Sequence, residues 1–171
     1  MNQTTSVKVV PLFSGSSGNA TYIRFGDREL LVDAGVSCKA LQTALETLDT
    51  GLSHISGIFV THEHHDHIRG LETVSKKFGI PVYIHESSYK GIDKPRLREA
   101  LAPHVHFIAP GDTVDLGDVC TSVFKTPHDA CGSVGFRFNF SDGSSLGYAT
   151  DIGYVTKGIA AGLFGCQTVI L

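Results

Sequence analysis

One stretch of seven residues constrains this chain more than any other: Thr61-His62-Glu63-His64-His65-Asp66-His67, in which every position from 62 to 67 carries an imidazole or a carboxylate. The apolar run Gly57 to Thr61 ahead of it reads as a short buried strand, and Ile68, Leu71, Val74 and Phe78 after it fall at helical spacing. The charged segment therefore sits at a strand-to-helix turn, where packing has no use for such density. Imidazole and carboxylate are the ligands zinc takes, and manganese or iron takes with more oxygen. On an extended stretch His62 and His64 fall on one side. Asp66 and His67, one turn onward, can face a second metal. Read as a solvated polar loop instead, the segment leaves the clustering of four of the nine histidines unexplained.

The rest of the chain suits a single domain over residues 1–171. With 42% hydrophobic and 18% charged residues it reads as a globular protein outside the membrane, and the N-terminus has neither the basic nor the long apolar region of a secretory signal, so a cytoplasmic location is expected. Cys38, Cys120, Cys131 and Cys166 form no C-x-x-C pair and read as reduced core residues. A formal net charge of −3 does not advertise nucleic-acid binding, which would need a local basic patch.

Runs at Val7 to Phe13, Ala20 to Phe25 and Glu29 to Asp33 predict an opening β-meander. Ser37 is a plausible N-cap for a helix with Leu41, Ala44, Leu45 and Leu48 on one face. A helical pattern from Ile68 ends at Gly79 and Pro81, a strand follows at Val82 to Ile84, and a helix at Pro95 to Leu101. Three strands then follow, Val119 to Thr126, Ser133 to Phe140 and Ser144 to Thr150, the last two joined at Asp142-Gly143. A helix at Gly158 to Phe164 and a strand at Gln167 to Leu171 complete the pattern. Mixed strands with helices in both halves predict an α/β (α+β) fold, a four-layer αββα sandwich.

T-H-x-H-x-D-H after an apolar strand resembles the signature of the metallo-β-lactamase superfamily. Thr126-Pro127-His128 and Tyr148-Ala149-Thr150-Asp151 close strands where its later motifs do, and Leu31-Val32-Asp33-Ala34-Gly35 resembles its first. The resemblance implies two divalent ions, zinc or manganese with iron as a third option. His62, His64 and His128 would hold one ion, Asp66 and His67 the other, and Asp151 would bridge them beside a hydroxide. Asp33 reads either as an acceptor that orients a ligand or as a cap for the following helix. The superfamily pattern ends with one more histidine beyond the strand where this chain stops, so a domain lacking the C-terminal part of the fold is expected.

Fold and ligands do not choose a substrate. The loop Phe13-Ser14-Gly15-Ser16-Ser17-Gly18-Asn19-Ala20 can turn amides and hydroxyls toward a phosphate, or it is a flexible hairpin turn. With L-L-V-D-A-G and T-D-x-G-Y it resembles the YycJ/WalJ subfamily, which implies a bacterial phosphodiesterase with exonuclease activity on DNA. The bridging hydroxide would then attack phosphorus, Asp66 would accept its proton, and Ser16, Ser17 and Asn19 would hold phosphate. Arg69 is a further candidate contact. Lys90, Lys94, Arg96 and Arg98 form the one basic cluster, read either as a phosphate track or as a solvated helix face. His85, at a strand end, reads as structural or superficial, and His104 and His106 receive no role. The rival readings are a thioesterase or lactonase similar to glyoxalase II, and an inactive scaffold. Oligomeric state is not legible.

Overall fold

The structure, a computed structural model, describes residues 6–171. The meander forms as expected: β1 (Lys8–Phe13), β2 (Ala20–Phe25) and β3 (Arg28–Val32) pair antiparallel in turn. Ser37 Oγ accepts from the Ala40 amide at 3.2 Å and starts α1 (Cys38–Glu46), which buries Leu41 and Leu45. The chain returns as β4 (Ile55–Phe59), parallel to β3, and enters the histidine segment through α2 (His65–Ile68) and α3 (Leu71–Phe78). Next come β5 (Val82–His85), α4 (Glu86–Gly91), α5 (Pro95–Leu101) and β6 (Val105–Ile108), whose strands add in parallel to complete a six-stranded sheet in the order β1 to β6. Parallel neighbours require crossovers, and the helices supply them.

The second sheet holds β7 (Thr113–Asp115), β8 (Val119–Lys125), β9 (Val134–Phe140), β10 (Ser145–Tyr148) and, after α6 (Lys157–Leu163), β11 (Thr168–Ile170). The period of two along each strand sorts the core into two layers. Leu31, Ile58 and Val60 face α1, α3 and α5, with Leu41, Leu71, Val74 and Leu97. Leu30, Val32 and Phe59 face the second sheet, meeting Val123, Phe136, Phe138 and Leu146. α6 packs on that sheet's outer face, where a Cβ on Gly147 would meet Leu163 at 2.5 Å. The four-layer αββα order is thus present.

Two expectations need correcting, and one helix is additional. The helix expected from Ile68 to Phe78 is two, because Gly70 breaks it: its amide donates to Ala34 O at 2.8 Å, and a Cβ there would stand 2.2 Å from Val36 O. The cysteines are free but none is fully buried: Cys38 packs half-buried against the core, Cys120 and Cys166 are half-buried, and Cys131 is exposed. α4 was not anticipated, since E-S-S-Y-K-G has no apolar repeat and buries only Ser88. No helix among the described residues is long and apolar enough to cross a membrane.

Phe59 connects this core to the site: it stacks on Tyr83 with ring centroids 4.6 Å apart and meets Phe136 and Phe138 edge-on, two residues before the histidine segment. Phe59→Ala should cost about 3–5 kcal/mol of unfolding free energy by urea titration, against about 1 kcal/mol for loss of the Ser37 cap in Ser37→Ala. Equal losses would contradict this account of the core.

Candidate metal centre

Strands β3, β4, β8 and β10 deliver their carboxyl ends to one edge of the sandwich. Beyond β3, Asp33 takes a left-handed backbone (φ 63°) and is fully buried. A buried carboxylate needs donors, and Asp33 has three. Its Oδ1 accepts the Thr61 amide at 2.8 Å, while Oδ2 accepts the Thr61 hydroxyl and His67 Nδ1, each at 2.8 Å. The cap reading of Asp33 falls, because Ser37 caps α1.

These bonds decide which ring nitrogens are available. His67 Nδ1 must carry the proton it gives to Asp33, so in the neutral ring Nε2 keeps a lone pair. Thr61 has one hydroxyl proton, spent on Asp33, and therefore accepts from His62 Nδ1 at 3.0 Å. His62 too presents Nε2 unprotonated. That atom is buried without any hydrogen-bond partner, a costly arrangement unless something else takes its lone pair.

Around it lie two triads of ligand atoms, each within 4.8 Å of one another: His62, His64 and His128; and His62, His67 and Asp151. His62 stands between the two. His64 Nδ1 and His128 Nε2 are 3.2 Å apart, while His67 Nε2 lies 3.4 Å from Asp151 Oδ2 and 3.6 Å from Asp66 Oδ2. Ligands bonded at the usual zinc distances in a tetrahedral shell lie about 3.3–3.6 Å from each other. The donor set, the spacing and the orphaned nitrogen all fit divalent cations. Burial, with His67 the next contribution, pushes His62 down to about 3, so it stays neutral as a ligand must. For His67 burial acts in the same sense, but the Asp33 hydrogen bond and charge, with Asp151 and Asp66, outweigh it and raise the ring.

Two hollows flank the cluster. The larger, about 810 Å³, is lined by His85, Lys125, His128, Cys131 and Tyr154 among others. The loop that carries His128 is tied down at Cys131, whose amide donates to Glu63 Oε1 at 2.6 Å, and at Gly132, whose carbonyl accepts from Ser88 Oγ at 2.9 Å. The smaller hollow, about 340 Å³, is lined by Ser14, Gly15, Ser16, Asn19, Asp66, Thr150, Asp151 and Leu171. Ser16 and Asn19 thus reach the cluster from the N-terminal loop. Ser17 and Arg69 are exposed and line neither hollow. Of the basic cluster, Lys90 pairs with Glu86 at 2.8 Å and Arg98 borders a separate depression with Tyr89 and Glu99. Sequence reasoning missed the parts played by Glu63 and Lys125: a Glu between two histidines gives no sign that the His128 loop folds onto it, and Lys125 ends a strand as an exposed residue that only the fold places beside the larger hollow.

Against known families, a model described as a β-lactamase superfamily domain matches residues 28–171. The chain belongs to that superfamily. Exodeoxyribonuclease YycJ of Bacillus anthracis is 36% identical over 88% of this chain and 58% of its own length. Exodeoxyribonuclease WalJ of Streptococcus pneumoniae is 33% identical over 87% of this chain and 55% of its own. This superfamily member therefore spans a little over half the length of those relatives. A solved diphosphatase of the PhnP family superposes with a TM-score of 0.77 at 17% identity, covering 96% of this chain and 72% of that one. At that identity the match speaks for the fold, which agrees with the metallo-β-lactamase architecture built above.

Thr61→Val keeps the shape and removes the hydroxyl, leaving an Asp33 oxygen and His62 Nδ1 short of a partner. It should lower stability by about 1–3 kcal/mol, and nitrogen-15 NMR should show His62 turning from one tautomer into a mixture; a single unchanged tautomer would contradict the relay. The pH dependence has a definite sign. His62 is lowered from 6.5 to about 3, so the unfolded chain takes up this proton first, and the stability is present above about 6.5 and lost as pH falls. His67 is raised, so its contribution is present below 6.5 and lost at higher pH. Between pH 6.5 and 4.5, above the range where Glu63 adds its own loss, the cation-free protein should weaken on acidification, and less so as His62→Gln.

Proposed function

We propose that this domain is a metal-dependent phosphodiesterase that degrades DNA from an end, with zinc or manganese as its ions. The observation that carries the reading is the likeness to two exodeoxyribonucleases over nearly nine-tenths of the chain. His62, His64 and His128 would hold one ion, and His67, Asp66 and Asp151 the other. The open 810 Å³ hollow beside His128, with Lys125 on its rim, suits a polymer better than the narrow pocket a small thioester would need.

Divalent ions at these positions supply Lewis-acid charge, which activates water and draws electron density from a phosphodiester. The protein's own groups do the rest. Asp33 and Thr61 fix the imidazoles so that no reorganisation is needed when substrate arrives. The other carboxylate oxygen of Asp66, whose side chain is part-buried beside the small hollow, would take the proton of the attacking water. Ser16 and the N-terminal loop hold a phosphate oxygen, and Lys125 attracts the flanking strand, making binding salt-dependent.

The test is turnover of end-labelled linear and of closed circular DNA with added Mn²⁺ or Zn²⁺. Linear DNA should be shortened from an end, circular DNA spared, and activity lost in His64→Ala. Lys125→Ala should reduce the salt dependence by about one phosphate contact. Hydrolysis of a glutathione thioester without cleavage of DNA would overturn the reading in favour of a glyoxalase II-type enzyme, and turnover of neither would leave a binding scaffold.

A further inference from the structure

Asn19 lies at the end of the loop between β1 and β2, and its position is over-determined. Its amide nitrogen donates to Asp66 O at 2.7 Å, and its carbonyl accepts from Gly35 N at 2.8 Å. The close fit requires glycine on both sides: a Cβ on Gly35 would lie 1.6 Å from Asp66 O, and one on Gly18 would meet Gly35 O at 2.6 Å. The Asn19 backbone is therefore clamped to the histidine segment, and only its side chain is free to turn.

That side chain has a definite orientation. Gly15 N donates to Oδ1 at 3.0 Å, which turns the NH₂ end inward. There Nδ2 lies 3.1 Å from Gly15 O, 3.2 Å from Asp66 Oδ2 and 3.1 Å from His67 Nε2. Exchanging the two ends would set Oδ1 against Gly15 O and NH₂ against Gly15 N–H, so the network permits one choice. An amide NH₂ has protons to give and no lone pair for a cation. With Nδ1–H committed to Asp33, the neutral His67 ring has one lone pair, at Nε2. It can accept from Asn19 or bind a cation, and not both at once.

We infer that Asn19 gates the second cation position: its amide occupies the His67 lone pair until a cation displaces it, so the two positions fill in order and the Ser14–Asn19 loop responds to the second filling. The first position is less guarded. His62 Nε2 has no hydrogen-bond partner at all, while His64 Nδ1 and His128 Nε2 share one bond at 3.2 Å and His128 Nδ1 lies 3.2 Å from Asp129 Oδ1. The cost of the second step is the loss of the Asn19 contacts to His67 and Asp66. Its consequence is a released NH₂ group beside Ser14, Gly15 and Ser16, in the 340 Å³ hollow, where it can donate to a substrate phosphate oxygen. A phosphate-binding donor would thus be exposed only in the fully loaded site. The inference rests on the reading of the cluster as a two-cation centre, but it does not require the substrate to be DNA.

The experiment is calorimetric titration of the metal-stripped protein with Zn²⁺ or Mn²⁺, without substrate, alongside amide hydrogen exchange of the loop. The native chain should bind two ions in two steps, and exchange at Gly15 should speed up at the second. Asn19→Ala should leave the first step unchanged and tighten the second about fivefold, the worth of one ordinary hydrogen bond, with Gly15 already exchanging fast before any ion is added. Asn19→Asp, which keeps an acceptor for Gly15 N and places an oxygen where the NH₂ stood, should tighten the second step further and guards against a folding defect in the alanine variant. A second step unchanged or weakened in both variants overturns the gate, as does simultaneous filling of the two positions or binding of fewer than two ions by the native chain. Two-step binding with the expected shifts in a protein that does not cut DNA would keep the gate and remove the nuclease reading.

Discussion

The Asp33 carboxylate holds three parts of the molecule in register. It is buried at the end of β3 in a left-handed conformation, and its three hydrogen bonds reach the Thr61 backbone, the Thr61 hydroxyl and the His67 ring. A charge this deep is tolerable only when its acceptors are filled, so the strand end, the following strand and the short helix α2 are fixed by one requirement. The same bonds orient two imidazoles so that each turns an unprotonated Nε2 toward the cluster. The β-sandwich brings the segments to one edge, and Asp33 decides which atoms they present there.

The second sheet completes the arrangement by a different route. Val134 N bonds to Thr61 O at 3.0 Å, so β9 is stitched directly to the residue that precedes His62. Gly153 N bonds to Pro127 O at 2.9 Å, linking the segments that carry Asp151 and His128. Asp151 shares with Asp33 a positive φ, at 54°. Non-glycine residues adopt that conformation at a cost that surrounding contacts must cover, and here both lie at strand ends beside the cluster. Residues far apart in sequence are brought within ligand distance by backbone bonds, and long side chains are not needed to span gaps.

Much of this was legible because the strongest signals were local. The ligand candidates 62 to 67 are contiguous, the Ser37 cap and the Pro95 helix start carry their own chemistry, and strands β8 to β10 alternate plainly. What escaped depended on contacts between distant segments. Gly70 splits a periodic helix because it meets Val36 and Ala34, more than thirty positions earlier in the chain. Glu63 anchors the His128 loop through Cys131, and no spacing rule points from one to the other. The loop pattern suits Asn19 to a phosphate, and the structure adds that its NH₂ lies against His67, a pairing visible only once β1, β2 and α2 are in place. The basic residues of α4 and α5 looked like a track, and Lys125 is the one that borders the larger hollow.

The central claim is that the convergence of His62, His64, Asp66, His67, His128 and Asp151 is a binuclear metal centre aligned by Asp33 and Thr61. Anomalous diffraction at the zinc or manganese edge, from crystals of the chain grown with that ion, tests it most directly. Two peaks are predicted, one bonded to His62 Nε2, His64 and His128 and the other to His67 Nε2 and the carboxylates of Asp66 and Asp151. Peaks only at other surface histidines such as His104 or His106, with His62 Nε2 still without a partner, would contradict it.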